Sequence, residues 1–203
     1  MLADPFGVRN AAREEAIRRI ELVRPALEHL PGYIGALERG WSPDTERDDA
    51  RFDDLRDIRR SPETFLQLLD DPAAAGKPIQ LPDGTLVPRL PGFRRWIWDG
   101  EFCGNVGFRW TPGSAVLPPT CLGHVGYSVV PWKRGRGYAK AALALILPDA
   151  RERGLPYVEI VTDADNVASQ RVVLANGGSL FERFAKGPNF GAKEALRFRI
   201  ALR

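Results

Sequence analysis

The sequence holds few of the residues that metal sites and disulfide frameworks require. Among its 203 residues are two cysteines, Cys103 and Cys121, and two histidines, His29 and His124. Two thiols build no disulfide framework, and such isolated cysteines are expected as buried hydrophobes. Their spacing suits no metal site and the histidines add too few ligands, so no metal is expected. No apolar run approaches the roughly 20 residues that cross a bilayer, so no membrane partner is expected. The longest run, 141–147, soon meets the charged stretch Asp149 to Arg153. Residues 1–10 lack a basic region followed by an apolar one, so no secretory signal is read and a cytoplasmic location is expected. Net charge is close to balance at +3, too small an excess to imply a nucleic-acid partner.

What the sequence does have is the composition of an ordinary globular protein, with 44% apolar and 27% charged residues. The length suits a single domain over 1–203, with a helix-rich part in 1–75 and a more regular core in 95–203. Helix formers fill Asn10 to Arg19. Ile20 to Arg24 reads as a short strand stopped by Pro25. Leu27, Leu30, Ile34 and Leu37 recur at helical spacing up to Gly40. The charged stretch Asp44 to Asp54 reads as a loop or a solvated helix start. Ser61-Pro62-Glu63 is a capping serine with proline at the first helical position, and Asp70-Asp71-Pro72 ends that helix. Ile79 to Leu90 predicts a hairpin about Asp83-Gly84, kept at an edge by Pro82 and Pro88. Arg95 to Asp99 pairs with Phe102 to Trp110 about a second turn. Then come strand His124–Val130, helix Ala139–Arg153, strand Tyr157–Thr162, helix Val167–Ala175 and strand-like residues in Phe190–Leu202. Strand, helix, strand in this order predicts a parallel pair joined by a crossover. Pro148 is expected to kink the longer helix or end its regular part early.

The segment that carries chemistry is Pro131-Trp132-Lys133-Arg134-Gly135-Arg136-Gly137-Tyr138-Ala139-Lys140. A strand ends, a basic turn with two glycines follows, and a helix begins. Helix starts present unpaired N–H groups and partial positive charge, and glycines let a phosphate approach the backbone. Arg134, Arg136 and Lys140 add charge-assisted donors. The motif is neither the three-glycine dinucleotide fingerprint nor a triphosphate loop. Taken alone, it also reads as a solvated surface turn.

Arg134-x-x-Gly137-x-Ala139 resembles the Arg/Gln-x-x-Gly-x-Gly/Ala signature of the GCN5-related N-acetyltransferases (GNAT). Pro131 stands six residues before Gly137. Asn166-x-x-Ser169, after a strand and opening a helix, is similar to the family's second coenzyme A element. Gly177-Gly178 follows, where the family usually has glycine and an aromatic residue. The resemblance spans about Arg95 to Arg183 and, with Gly123-His124-Val125-Gly126-Tyr127, is similar to a bacterial subgroup. It implies an α/β fold: a mixed, centrally splayed sheet flanked by helices, with a helical N-terminal segment. It implies acetyl-CoA as co-substrate and a primary amine, of a small molecule or a peptide, as acceptor. The pyrophosphate would lie on Arg134, Gly135, Arg136, Gly137, Tyr138, Ala139 and Lys140. The pantetheine arm would pair with the backbone of Tyr127, Ser128 and Val129, with Asn166 and Ser169 beside it. A backbone N–H near Val129 or Val130 would stabilise the oxyanion.

A lysine-like amine is neutral in only about one molecule in 2,500 at pH 7, so a base is sought. The candidates are His124, whose ordinary pKa suits the task, then Glu159 on the neighbouring strand, then Tyr127. Each also has a purely structural reading. Many relatives carry a tyrosine acid seven residues after the motif asparagine, where this chain has Val173. That departure admits a second reading, a CoA-binding or sensing module without catalysis. Trp41, Trp96, Trp98 and Trp110 read as core, and Asp44, Asp48 and Asp49 as a solvated face. A homodimer is compatible with this sequence.

Overall fold

The computed structural model describes residues 20–202. The helix predicted for 10–19 lies outside them. The strand Glu21–Val23 (β1) is followed by helices Leu30–Glu38 (α1), Ala50–Arg60 (α2) and Pro62–Leu68 (α3). Ser61 caps α3 as expected, its hydroxyl accepting from the Thr64 N–H. Short strands Asp70–Asp71 (β2), Ile79–Gln80 (β3) and Leu86–Val87 (β4) follow, then Gly92–Trp98 (β5), Phe102–Arg109 (β6) and Val125–Val129 (β7). The second half is Tyr138–Glu152 (α4), Tyr157–Asp163 (β8), Val167–Leu174 (α5), Ser179–Ala185 (β9) and Glu194–Ala201 (β10).

The strands form two antiparallel sheets and a separate ribbon. The first runs β1-β5-β6-β7, with β2 also on β5; the second runs β8-β10-β9; β3 and β4 pair only with each other. The predicted crossover pair, β7 and β8, shares no ladder among the described residues. Its expected parallel hydrogen bonding is replaced by a split between the sheets, the fold class the resemblance implied. Pro148 does not end α4, which continues to Glu152. β9 went unpredicted because nearly all of it is exposed, Leu180 and Phe181 included, so it carries no alternating pattern.

Two apolar clusters cover opposite faces of the first sheet. On one, Ile97, Val106, Phe108, Val125 and Val129 pack against Ala142, Leu143 and Ile146 of α4 and continue into Val158, Ile160 and Phe198 of the second sheet. On the other, Trp96, Phe102 and Val130 pack against Tyr33, Leu37 and Trp41, with Ile58 and Phe65. Trp96 and Ile97 are consecutive and both fully buried, which requires strand alternation between two covered faces. Burying side chains of this size contributes about 1.5–3 kcal/mol each. No helix among the described residues is long and apolar enough to cross a membrane.

Candidate active site

The two sheets part at His124. Its C=O accepts from Arg109 N–H of β6 at 2.9 Å, while its N–H turns the other way and donates to Glu159 O of β8 at 2.8 Å. Its ring repeats the second link, Nδ1 accepting from the Glu159 N–H at 3.0 Å. Just before it, a Cβ on Gly123 would stand 3.0 Å from Glu159 O, so only glycine fits there without displacing β8. Beyond this vertex the strands separate.

The backbone of β7 is therefore divided. The register pairs Gly104 with Val129 and Phe108 with Val125, and Val130 N–H donates to Cys103 O at 3.0 Å. In an antiparallel ladder such bonds alternate, so the even-numbered residues of β7 bond β6. The N–H and C=O of Val125, Tyr127 and Val129 point away from β6, into the split. Of the three residues expected along the pantetheine, Tyr127 and Val129 present this edge. Ser128 does not: its backbone belongs to the ladder, and its buried hydroxyl accepts from Trp41 Nε1 at 2.9 Å on the opposite face. Of the two expected oxyanion donors, Val130 is already bonded to Cys103, which leaves Val129.

The split runs up to the basic loop. Gly135 and Gly137 both have left-handed backbone, φ 72° and 91°, and Gly137 is the residue from which α4 starts. The first N–H groups of a helix have no partner within it. Arg134, Arg136 and Lys140 are exposed, and no carboxylate pairs with them among the described residues. Arg134 Nε donates to Val129 O at 3.0 Å, binding the loop to the edge strand. These residues fit a diphosphate-bearing ligand: a left-handed glycine turn, cations without a carboxylate partner among the described residues and a helix N-terminus together.

Two neighbours do other work. Lys133 is buried, its ammonium between Asp99 (2.8 Å) and Glu101 (2.6 Å). Burial alone would lower its pKa; the hydrogen bonds it donates to the two carboxylates more than offset that and raise it. The Tyr138 hydroxyl also bonds Asp99. Tyr138 thus offers the loop only its backbone. Lys133, Asp99 and Tyr138 brace the loop from below.

The predicted acid–base residues lie close together at and beside the vertex, each with partners of its own. His124 is fully buried, and burial pushes its pKa down to about 4. It is neutral at pH 7, with Nδ1 occupied. Glu159 holds two arginines, Oε1 to Arg199 Nη2 at 2.7 Å and Oε2 to Arg197 Nη1 at 3.1 Å. Tyr127 reaches across the split, its hydroxyl 2.9 Å from Ser169 Oγ. Burial pushes its pKa up to about 12, so it keeps its proton. Asn166 caps α5, its Oδ1 accepting from Ser169 N–H at 3.0 Å. Tyr127, Asn166 and Ser169, 39 and 42 residues apart in sequence by their numbers, are thus brought into one chain of contacts. Val173 is buried in the core, 2.5 Å from where a Cβ on Gly178 would be.

On the other face of β7 lies a cleft of about 730 Å³, between residues 43–47, the β3–β4 ribbon, the floor of the first sheet and residues 186–191. Sequence reasoning missed its main ionic feature. Lys186, 3% exposed, places Nζ 2.7 Å from Asp163 and 2.8 Å from Glu46. The carboxylates more than offset the burial that would lower its pKa, and it is raised. A second clasp joins Asn189 and Asp83, Nδ2 donating to Oδ2 at 2.9 Å and Oδ1 accepting from the Asp83 N–H at 3.1 Å. No local motif announces partners 140 and 106 residues apart. Among the described residues, no group of three or more His, Cys, Asp or Glu side chains is placed to hold a metal ion.

Comparison with known proteins agrees with this geometry. A family model described as an acetyltransferase (GNAT) domain matches residues 19–179. No curated protein matches the chain in sequence. Among solved structures, RimJ of Mycobacterium smegmatis in complex with CoA-disulfide superposes with a TM-score of 0.62 at 18% identity, over 90% of this chain and 81% of that one. The microcin C7 self-immunity acetyltransferase MccE, in complex with acetyl-CoA and AMP, gives 0.59 at 13% identity, over 90% and 92%. RimL, a ribosomal L7/L12 alpha-N-protein acetyltransferase, gives 0.56 at 15% identity, over 90% and 90%. At these identities the likeness is one of fold.

Proposed function

The chain belongs to the GNAT acetyltransferase family, and from that premise we propose that it transfers acetyl from acetyl-CoA directly to a primary amine. The observation that carries this reading is the divided backbone of β7. One edge, at Val125, Tyr127 and Val129, is turned into a split that leads to the glycine loop. The opposite face opens on a cleft that reaches the split at Tyr127 and Thr162. A donor and an acceptor can thus meet at one strand from two sides.

In this reading acetyl-CoA supplies an acetyl group already activated as a thioester. Arg134, Arg136, Lys140 and the helix start hold its diphosphate. The edge of β7 aligns its arm as an added strand would, with Asn166 and Ser169 opposite. The Val129 N–H is the donor available to a developing oxyanion, a role worth roughly 3–4 kcal/mol in comparable sites. The Tyr127 hydroxyl, protonated at every physiological pH, donates a hydrogen bond to sulfur as its bond to carbon breaks. It stands in for the tyrosine that position 173 lacks. His124 keeps the sheets joined at the vertex, and Glu159 holds Arg197 and Arg199. Glu46 and Asp163, which line the acceptor cleft, take the amine's proton through water. A peptide amino terminus and a small amine both suit a cleft of this volume.

The test is release of free thiol from acetyl-CoA across a panel of peptide and small-molecule amines, with CoA binding followed by calorimetry. We expect micromolar CoA binding and amine-dependent thiol release. Tight CoA binding without turnover on any amine would replace this reading with that of a CoA-sensing module.

A further inference from the structure

The acceptor cleft is electrically lopsided, and its two ends can be placed along β7. Gly107 and Gly126 face each other in register, so this part of the floor carries no side chains. Arg94 of β5 pairs with Gly107 from the other side. Arg109, two residues further along β6, points to the same face by strand alternation. Its Nη2 would stand 3.1 Å from a Cβ on Gly126, so the guanidinium lies over that glycine. Arg109 is exposed and has no carboxylate partner among the described residues. Arg94 has one carboxylate, Asp54, at the long distance of 4.0 Å, and Asp54 also accepts from the Tyr33 hydroxyl. Arg89 and Asp71 on the neighbouring wall offset each other, so Arg94 and Arg109 make this end of the cleft positive.

The other end is negative. Asp163 lies four residues beyond Glu159 on β8, as Ser128 lies four beyond His124 on β7, so Asp163 stands at the level of Ser128 and Val129. There Asp163 and Glu46 share Lys186, Lys193 is 3.8 Å from Asp163, and Asp44 adds a third carboxylate to the cleft wall. Three carboxylates face two ammonium groups, while Arg47 of the same wall is engaged by Asp49 and Asp53. From Gly126 to Val129 is three strand residues, about 10 Å.

We propose that the acceptor is a zwitterion: a primary amine whose anionic group, a carboxylate or a phosphate, is held by Arg109 and Arg94 over the Gly107–Gly126 floor, about 10 Å from the nitrogen that is acetylated. The proposal rests on the N-acetyltransferase reading and names its substrate class. A guanidinium binds either anion in a two-pronged fashion that a neutral amide cannot reproduce. The acidic end favours the ammonium beside Val129. A molecule entering the wrong way round would set its anion against Asp163 and Glu46, so the charges choose orientation as well as identity.

The experiment uses the purified full chain with acetyl-CoA and peptides that differ only at the third residue: Asp, phosphoserine, Asn or Lys. A long aminoalkyl carboxylate and its amide form a parallel small-molecule pair. We expect kcat/KM at least about tenfold higher for the anionic acceptors than for their neutral counterparts, carried by KM, with the Lys peptide poorest. The ratio of the Asp and phosphoserine rates identifies which anion the site prefers. Arg109→Gln should bring the anionic acceptors down to the neutral level while leaving CoA affinity and the rate on the Asn peptide unchanged. Arg109→Glu should reverse the order and favour Lys. Equal rates on anionic and neutral acceptors, or a preference that survives Arg109→Gln, would overturn the proposal. Absence of thiol release on every acceptor, with CoA still bound, would remove the acetyltransferase reading itself and is distinguished by that pattern.

Discussion

The two sides of β7 are built on different principles. The donor side is backbone: strand edges at Tyr127 and Val129, left-handed glycines at 135 and 137, and the start of α4. Everything in it lies within one stretch of chain, apart from the Asn166–Ser169 element. The acceptor side is made of side chains from distant segments: Trp41 on Ser128, Glu46 on Lys186, Asp83 on Asn189. A backbone site recognises a shared chemical handle and constrains few side chains. A side-chain site can change its substrate by single substitutions while the donor half stays as it is.

The sharpest break of this comparison is Gly137→Glu. An L-residue at φ 91° is strained, and the carboxylate would face the diphosphate site. CoA affinity should fall by about 100-fold or more, and Gly137→Ala should show the smaller loss due to strain alone. Titration calorimetry on protein with an unaltered circular dichroism spectrum decides it. Unchanged affinity would dissolve the donor half as described.

The acceptor half is tested by Lys186→Met. It leaves Asp163 and the half-exposed Glu46 without their shared cation, and stability should fall by about 2–3 kcal/mol in urea unfolding. Among molecules still folded, KM for the amine should rise, because the cleft wall loses its clasp and this outweighs the added negative charge, while CoA affinity holds. A parallel loss of CoA affinity would show that the halves are not separable.

The vertex that joins them should report through pH. His124 is held neutral, its pKa depressed to about 4 from an ordinary value near 6.5. The unfolded chain takes up its proton first as pH falls. Stability from this group is therefore complete above about pH 6.5, is lost on the way down to about pH 4, and amounts to roughly 3–3.5 kcal/mol. Urea midpoints across this window should flatten in His124→Gln. An equally steep fall in that variant would assign the acid sensitivity to other groups.

Tyr127→Phe is the mildest. Losing the bond to Ser169 should cost about 1 kcal/mol of stability and slow turnover several-fold, with CoA affinity kept. Turnover equal to wild type would leave Tyr127 as packing only.

The same contrast explains what the sequence disclosed. The loop, the Asn166–Ser169 element, the Ser61 cap and the hairpin around Asp83-Gly84 are local patterns, and each appears where it was read. The split of the sheet followed from the resemblance, since no periodicity distinguishes a ladder from a gap between β7 and β8. His124 had a suitable ordinary pKa, but its burial depends on β8, some 35 residues away. The Lys186 clasp had no local signal, because lysine reads as surface until both carboxylates are in place. β9 was silent since an exposed edge strand needs no buried alternate residues.

The two clasps across the cleft also set an order of events during synthesis. Glu46 leaves the ribosome 140 residues ahead of Lys186, and Asp83 leaves 106 residues ahead of Asn189. The helices of the first third can form early, but the wall they contribute to the cleft has nothing to close upon until residues 186–189 have been made. The donor half waits as well, since the helix that follows its loop packs against Leu196, Phe198 and Ile200 of β10.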